Sequence, residues 1–133
     1  MSTTASDRPI FAALVPANMA EPIKVIPLNG FADLYPAIGC DLVQPVQNLL
    51  GIDGPVMWVD EEGVCVGKPM NVRASIIAGQ RIVGNAVLTG TKDGDIAPLL
   101  IDCPAIFFDR INVLAKDWIA KFQYVPQDET YQA

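Results

Sequence analysis

Histidine does not occur in this chain. Its absence removes the usual general base near neutral pH, the Ser-His and Cys-His nucleophile pairs and every histidine-containing metal site. Cysteine is scarce as well: Cys40, Cys65 and Cys103 stand far apart with no CxxC pair. An odd, dispersed set suits a reducing compartment better than a disulfide framework, and all three are read as small buried apolar residues. Long hydrophobic runs are missing, the longest stretches being no more than a handful of residues such as Ile10 to Val15, far short of the ~20 that span a bilayer. Basic side chains are few, 9 against 15 acidic ones, for a net charge of -6. That balance opposes attraction to phosphate backbones and to anionic membranes, so direct nucleic-acid binding and membrane association are not expected. Mimicry of DNA would need carboxylates arrayed at phosphate-like spacing, whereas here they are scattered through turns. The glycines at 79, 84, 90 and 94 form neither GxGxxG nor GxxxxGK[ST], and cofactor use of those kinds is not expected.

What is present is a strongly apolar chain of 133 residues, 51% hydrophobic. This length fits one domain that buries roughly two-thirds of the surface its unfolded form exposes. Residues 1–8 read as a disordered tail, 9–123 as a single α+β domain and 124–133 as a loose tail. Asp7 and Arg8 stand directly before the first apolar run, which Pro16 ends, so the start of the chain lacks the pattern of a secretory leader and a cytoplasmic protein is expected.

Two extended segments, Ile10 to Pro16 and Ile23 to Leu28, predict a hairpin through Asn18. Asn29 caps a short helical segment from Gly30 to Ile38, shortened or kinked by Pro36 and ended by Gly39. Asp41 to Val46 reads as a strand and Gln47 to Pro55 as a loop. Val56 to Val59 and Val64 to Val66 predict two short strands around Asp60-Glu61-Glu62-Gly63, a turn in which Gly63 supplies the left-handed conformation. Asn71 caps a two-turn helix that Gly79 terminates. A longer strand, Ile82 to Leu88, and a polar turn from Lys92 to Asp95 follow. From Asp102 to Gln123 a helix is expected, with Phe107, Phe108, Ile111, Leu114, Ala115, Trp118, Ile119 and Phe122 within one arc of ~140°. A second stripe, Ile106, Val113 and Ala120, recurs every seven residues on its other side. The expected fold is a mixed or mostly antiparallel sheet of five to six short strands in the order β-β-α-β-β-β-α-β-α, open to a β-grasp-like core, with the long C-terminal helix covering one face.

Four ordered blocks carry a resemblance: LYPAIGCDLV from Leu34 to Val43, MWVDEEG from Met57 to Gly63, GKPMNVRAS from Gly67 to Ser75 and IVGNAVLTG from Ile82 to Gly90. Together they resemble domain of unknown function family 3846, a family of small proteins encoded by bacteriophages and plasmids. The resemblance implies a mobile-element origin, life in a bacterial cytoplasm and, by association with other small accessory proteins of phages, a binding or inhibitory role.

Two places hold candidate functional residues. Asn71 and Arg73 put helix-terminal amides beside a guanidinium, a way of holding phosphate or carboxylate, and Trp58 on a neighbouring strand could stack on a ring beside them. The structural alternatives are a cap, an ion pair of Arg73 with Glu61 or Glu62, and a core tryptophan. The second place is the acidic turn Asp60, Glu61 and Glu62, which lacks the alternating ligands of a calcium loop. With the stripe Ile106, Val113 and Ala120, this turn is the expected surface for a protein partner or a second copy. No catalytic residue, metal or cofactor is assigned, and Ser75 has no histidine to activate it. The expected function is that of a non-enzymatic bacteriophage or mobile-element protein that binds a host protein, as an inhibitor or in counter-defence. The alternatives are a module that sequesters a small anionic ligand such as a signalling nucleotide, and a carboxylate- and magnesium-dependent enzyme.

Overall fold

The computed structural model describes residues 9–47, 49 and 54–122. Both predicted tails therefore lie outside the described residues, as does most of the 47–55 loop. Six strands form one antiparallel sheet: β1 Ile10–Val15, β2 Lys24–Leu28, β3 Val43–Val46, β4 Val56–Asp60, β5 Ala86–Lys92 and β6 Asp95–Ala97. Five of them lie in the order β2-β1-β5-β4-β3, with β6 paired to the far end of β5. The helices are α1 Leu34–Ile38, led by a 3-10 turn at Phe31–Asp33, then α2 Val72–Ala78 and α3 Pro104–Phe122. The fold is α+β. Among the described residues every ladder is antiparallel, so of the expected alternatives the antiparallel sheet is present, without the parallel pair of a mixed, β-grasp-like core.

Period-two alternation sorts the strands into two apolar faces. Ala13, Val15, Met57, Val59, Ala86 and Leu88 face α2 and α3, meeting Ala74, Ile77 and Ile111. Ala12, Leu28, Val87 and Trp58 face the other way, onto Leu34 and Ile38 of α1. The expectation that a single helix covers one face is thus too simple, since the short α1 closes the second. Central β5 is buried from Ala86 to Thr89, as a strand with both faces covered must be. The edge strands β2 and β3 carry Pro27 and Pro45, and proline fits a ladder only where its missing N–H faces outward.

Three local expectations are corrected. Val64 to Val66 is not a strand, because residues 61–67 coil into successive turns. Gly63 is not left-handed, whereas Gly67 is, at φ 75°. A Cβ on Gly63 would lie 2.7 Å from Val83 Cγ2, so glycine is required there for close approach to the neighbouring chain. The strand expected at Ile82 to Leu88 is β5, which starts at Ala86 and runs on to Lys92, where Asp93 (φ 53°) and Gly94 (φ 82°) turn the chain into β6. Ile82 and Val83 are buried but non-strand, joined to Met70 only by the Met70–Val83 bridge.

Candidate functional site

The N-terminus of α2 is built around Asn71. Its Oδ1 accepts from the Ala74 amide at 2.9 Å, the cap its position predicts, while its Nδ2 donates to Val15 O at 2.8 Å and Gly84 O at 2.9 Å. One side chain therefore closes the helix and ties it to β1 and to the approach to β5. Its exposure is 0%. Ser75 completes the same knot, its hydroxyl donating to Asn71 O at 2.7 Å and accepting from the Ile82 amide at 2.8 Å.

Arg73 leaves the next turn toward the β1–β2 connection and is 2% exposed. Its guanidinium donates to the carbonyls of Pro16 at 2.9 Å, Asn18 at 3.2 Å and Glu21 at 2.8 Å, and to Asn112 Oδ1 at 3.3 Å. Burial pushes its pKa below the usual arginine value, against a smaller opposite pull from Glu21. Nε is buried without a partner among the described residues. The alternative pairing with Glu61 or Glu62 does not occur in these bonds; three backbone carbonyls converge on Nη2 instead, while Nη1 serves Asn112.

Trp58 is on the opposite face of the sheet from Asn71 and Arg73, packed with the α1 cluster. Its indole N–H donates to Thr89 Oγ1 at 2.9 Å, and Phe31 meets its ring edge-on at 5.2 Å between centroids. The constellation Trp58, Asn71 and Arg73 is therefore not assembled. The alternation of β4 carries the reason, since Trp58 lies between Met57 and Val59, which face α2 and α3.

The acidic turn divides in two. Asp60 is buried and structural: Oδ1 accepts from the Glu62 amide at 2.8 Å and Oδ2 pairs with Lys68 Nζ at 2.7 Å. Lys68 also donates to Gly39 O at 2.8 Å. Backbone bonds from Val66 to Glu62 O and from Lys68 to Gly63 O close the coil between them. Outside this frame Glu61, Glu62, Val64, Cys65 and Val66 are exposed, with Val64 at 69% and Val66 at 63%. A hollow of about 210 Å³ opens beside them, lined by Gln44, Asp60, Glu61, Val64, Arg81 and Val83 among others. Sequence reasoning missed Val64 and Val66 as surface residues because a valine-cysteine-valine run reads as a strand. The turn-forming Gly63 and Gly67 on either side were the available signal.

A second cleft of about 320 Å³ lies between Asn18, Glu21, Gly39, Lys68 and Asn85. Lys68 already serves Asp60 and Gly39 there, and Asn85 accepts from the Ala17 amide at 2.9 Å. Nearby Cys40 is half-buried, and its thiol pKa is raised, first by burial and then by Asp60. Cys65 and Cys103 are exposed, which corrects the reading of all three as buried. Among the described residues, no three Cys, Asp or Glu side chains are grouped to hold a metal ion. Of the helical stripe, Ile106 is 54% and Val113 64% exposed, and Ala120 is exposed as well. No described helix is long and apolar enough to cross a membrane.

Comparison with curated proteins finds no match, and comparison with solved structures finds none either. A family profile described as "Domain of unknown function (DUF3846)" matches residues 11–111, which include every strand but the first residue of β1, as well as α1, α2 and the first half of α3. The chain belongs to the DUF3846 family.

Proposed function

We propose that this protein works by binding another protein, and that the coil from Glu61 to Gly67 is its contact surface. The observation that carries this reading is the exposure of Val64 and Val66 on a segment braced by its own backbone hydrogen bonds. Apolar side chains displayed on a preorganised backbone lose little entropy on docking, whereas mobile ones give part of their burial energy back. Glu61 and Glu62 flank them as exposed acidic groups, which favour a partner with a basic rim and steer its approach.

The hollow beside the coil is of side-chain size, whereas the cleft at Lys68, about 320 Å³, lies at the small end of the range for metabolites. Small-molecule sites usually enclose about 300 to 1,000 Å³, while the space beside Val64 is about 210 Å³, enough for one side chain. Asn71 and the two terminal guanidinium nitrogens of Arg73, the groups that would have gripped an anion, spend their donors on the fold. In its finer form the proposal places the partner among the cytoplasmic proteins of a bacterial host, with this chain as an inhibitor in the service of a mobile element. The family resemblance supports that form by association.

The test is native mass spectrometry of the tagged protein gently isolated from bacterial cells, beside a V64D/V66D variant. A bacterial protein bound at fixed stoichiometry and lost from the variant is the expected result. Retention of that protein by the variant, or a small-molecule adduct in place of a protein, would overturn the reading.

A further inference from the structure

The outer face of α3 carries a pattern that the turn proposal leaves unused. Ile106, Val113 and Ala120 are exposed and share one line along a helix of 19 residues, about 28 Å long. On one flank of that line stand Arg110 and Asp117; on the other stand Asp109 and Lys116. All four are exposed. None of them makes a salt bridge or side-chain hydrogen bond within the described part of the chain.

We infer that this face docks a second copy of the chain, with the two α3 helices antiparallel about a two-fold axis at Val113. The charges supply the argument. Arg110 is three residues before Val113 and Asp117 four after it; Asp109 is four before and Lys116 three after. A two-fold axis perpendicular to both helices brings like flanks together and reverses height. Arg110 then meets the partner's Asp117, and Asp109 meets the partner's Lys116, each within one residue rise, about 1.5 Å, of level. The symmetry repeats both pairs, so four opposite-charge contacts border the seam and no like charges face each other.

The apolar layers select the direction. Antiparallel docking sets Ile106 against the small Ala120 at both ends and Val113 on itself at the centre, which keeps the helix axes evenly spaced. Parallel docking would also oppose unlike charges, but it would stack Ile106 on itself at one end and Ala120 on itself at the other. It would also align the two helix dipoles. Three apolar side chains per copy make a seam at the small end of specific interfaces, below about 1,200 Å², so the dimer is reversible and weakened by salt.

Sedimentation equilibrium of the full chain over a concentration series tests this directly. A monomer–dimer equilibrium is expected, with V113D raising the dissociation constant by about tenfold or more. D117R or R110D alone should weaken the dimer, and the two together should restore it, because the pair is then only exchanged between copies. Orientation is read by oxidative cross-linking after the native cysteines are replaced by serine: I106C mixed with A120C should give a mixed disulfide dimer. A chain that stays monomeric throughout, a dimer indifferent to V113D, a double charge swap that fails to rescue, or I106C linking to itself in preference to A120C would overturn the proposal.

Discussion

The N-terminus of α2 and the coil that precedes it by a few residues make an instructive pair. Asn71 and Arg73 look chemical in the sequence, yet they are buried, and all their polar atoms but Arg73 Nε are committed to the fold, mainly to carbonyls of β1, the β1–β2 connection and the approach to β5. Val64 and Val66 look like filler for a strand, yet they stand in solvent on a braced coil. A residue's capacity to bind is decided by what it has left over once the fold is satisfied. In this molecule the conspicuous polar groups have little to spare, and two plain aliphatic side chains have about two-thirds of their surface.

Substitutions should separate the two regions sharply. The largest effect is expected for R73M, which keeps the aliphatic stem but removes the donor to the carbonyls of Pro16 and Glu21, while Asn18 O keeps the Glu21 amide. Leaving buried polar groups without a donor costs about 1 to 3 kcal/mol each. A loss of about 3 kcal/mol or more should appear as a lower urea midpoint at unchanged slope, a large fraction of the ~5 to 15 kcal/mol that holds a typical domain together. N71A should follow at about 2 to 3 kcal/mol, from the lost cap and two orphaned carbonyls. G63A tests the seam between the regions: its new methyl would press on Val83, costing about 1 to 2 kcal/mol in the same titration. V64S with V66S should change stability by less than about 0.5 kcal/mol while abolishing partner retention. If R73M proved as mild as the valine changes, the distinction between the regions would fail.

Much of this arrangement was legible beforehand. The first hairpin, the Asn71 cap and the glycine ends of α1 and α2 follow from local rules, and the structure has them where those rules put them; the apolar arc of α3 holds only in part, since Ile111 and Ala115 are buried while Leu114 and Phe122 of the same arc are 51% and 59% exposed. Arg73 was singled out for the right reason, its concentration of donors, but its target was illegible. The carbonyls it serves lie more than fifty residues earlier in the chain, and no spacing encodes such a contact. The position of Trp58 relative to Asn71 failed similarly, because it depends on which face of the sheet α2 occupies. The turn at Lys92 to Asp95 was expected, but the strand β6 after it was missed, although Asp93-Gly94 is a favoured two-residue hairpin connection. The Val64 to Val66 run failed because β propensity describes fitness for a pleated, half-buried surface, and no neighbouring strand was there to provide one.

Pro27 and Pro45, one on each outer strand, have a consequence for crowding inside a cell. An open sheet ends in two rows of unsatisfied backbone groups, and a chain this apolar would otherwise be a template for end-to-end growth into fibrils. An imide nitrogen in each row leaves a gap that an incoming strand cannot fill. Ladder extension is thereby disfavoured along β2 and β3, which shifts encounters between copies toward side-chain surfaces, where association is finite and reversible.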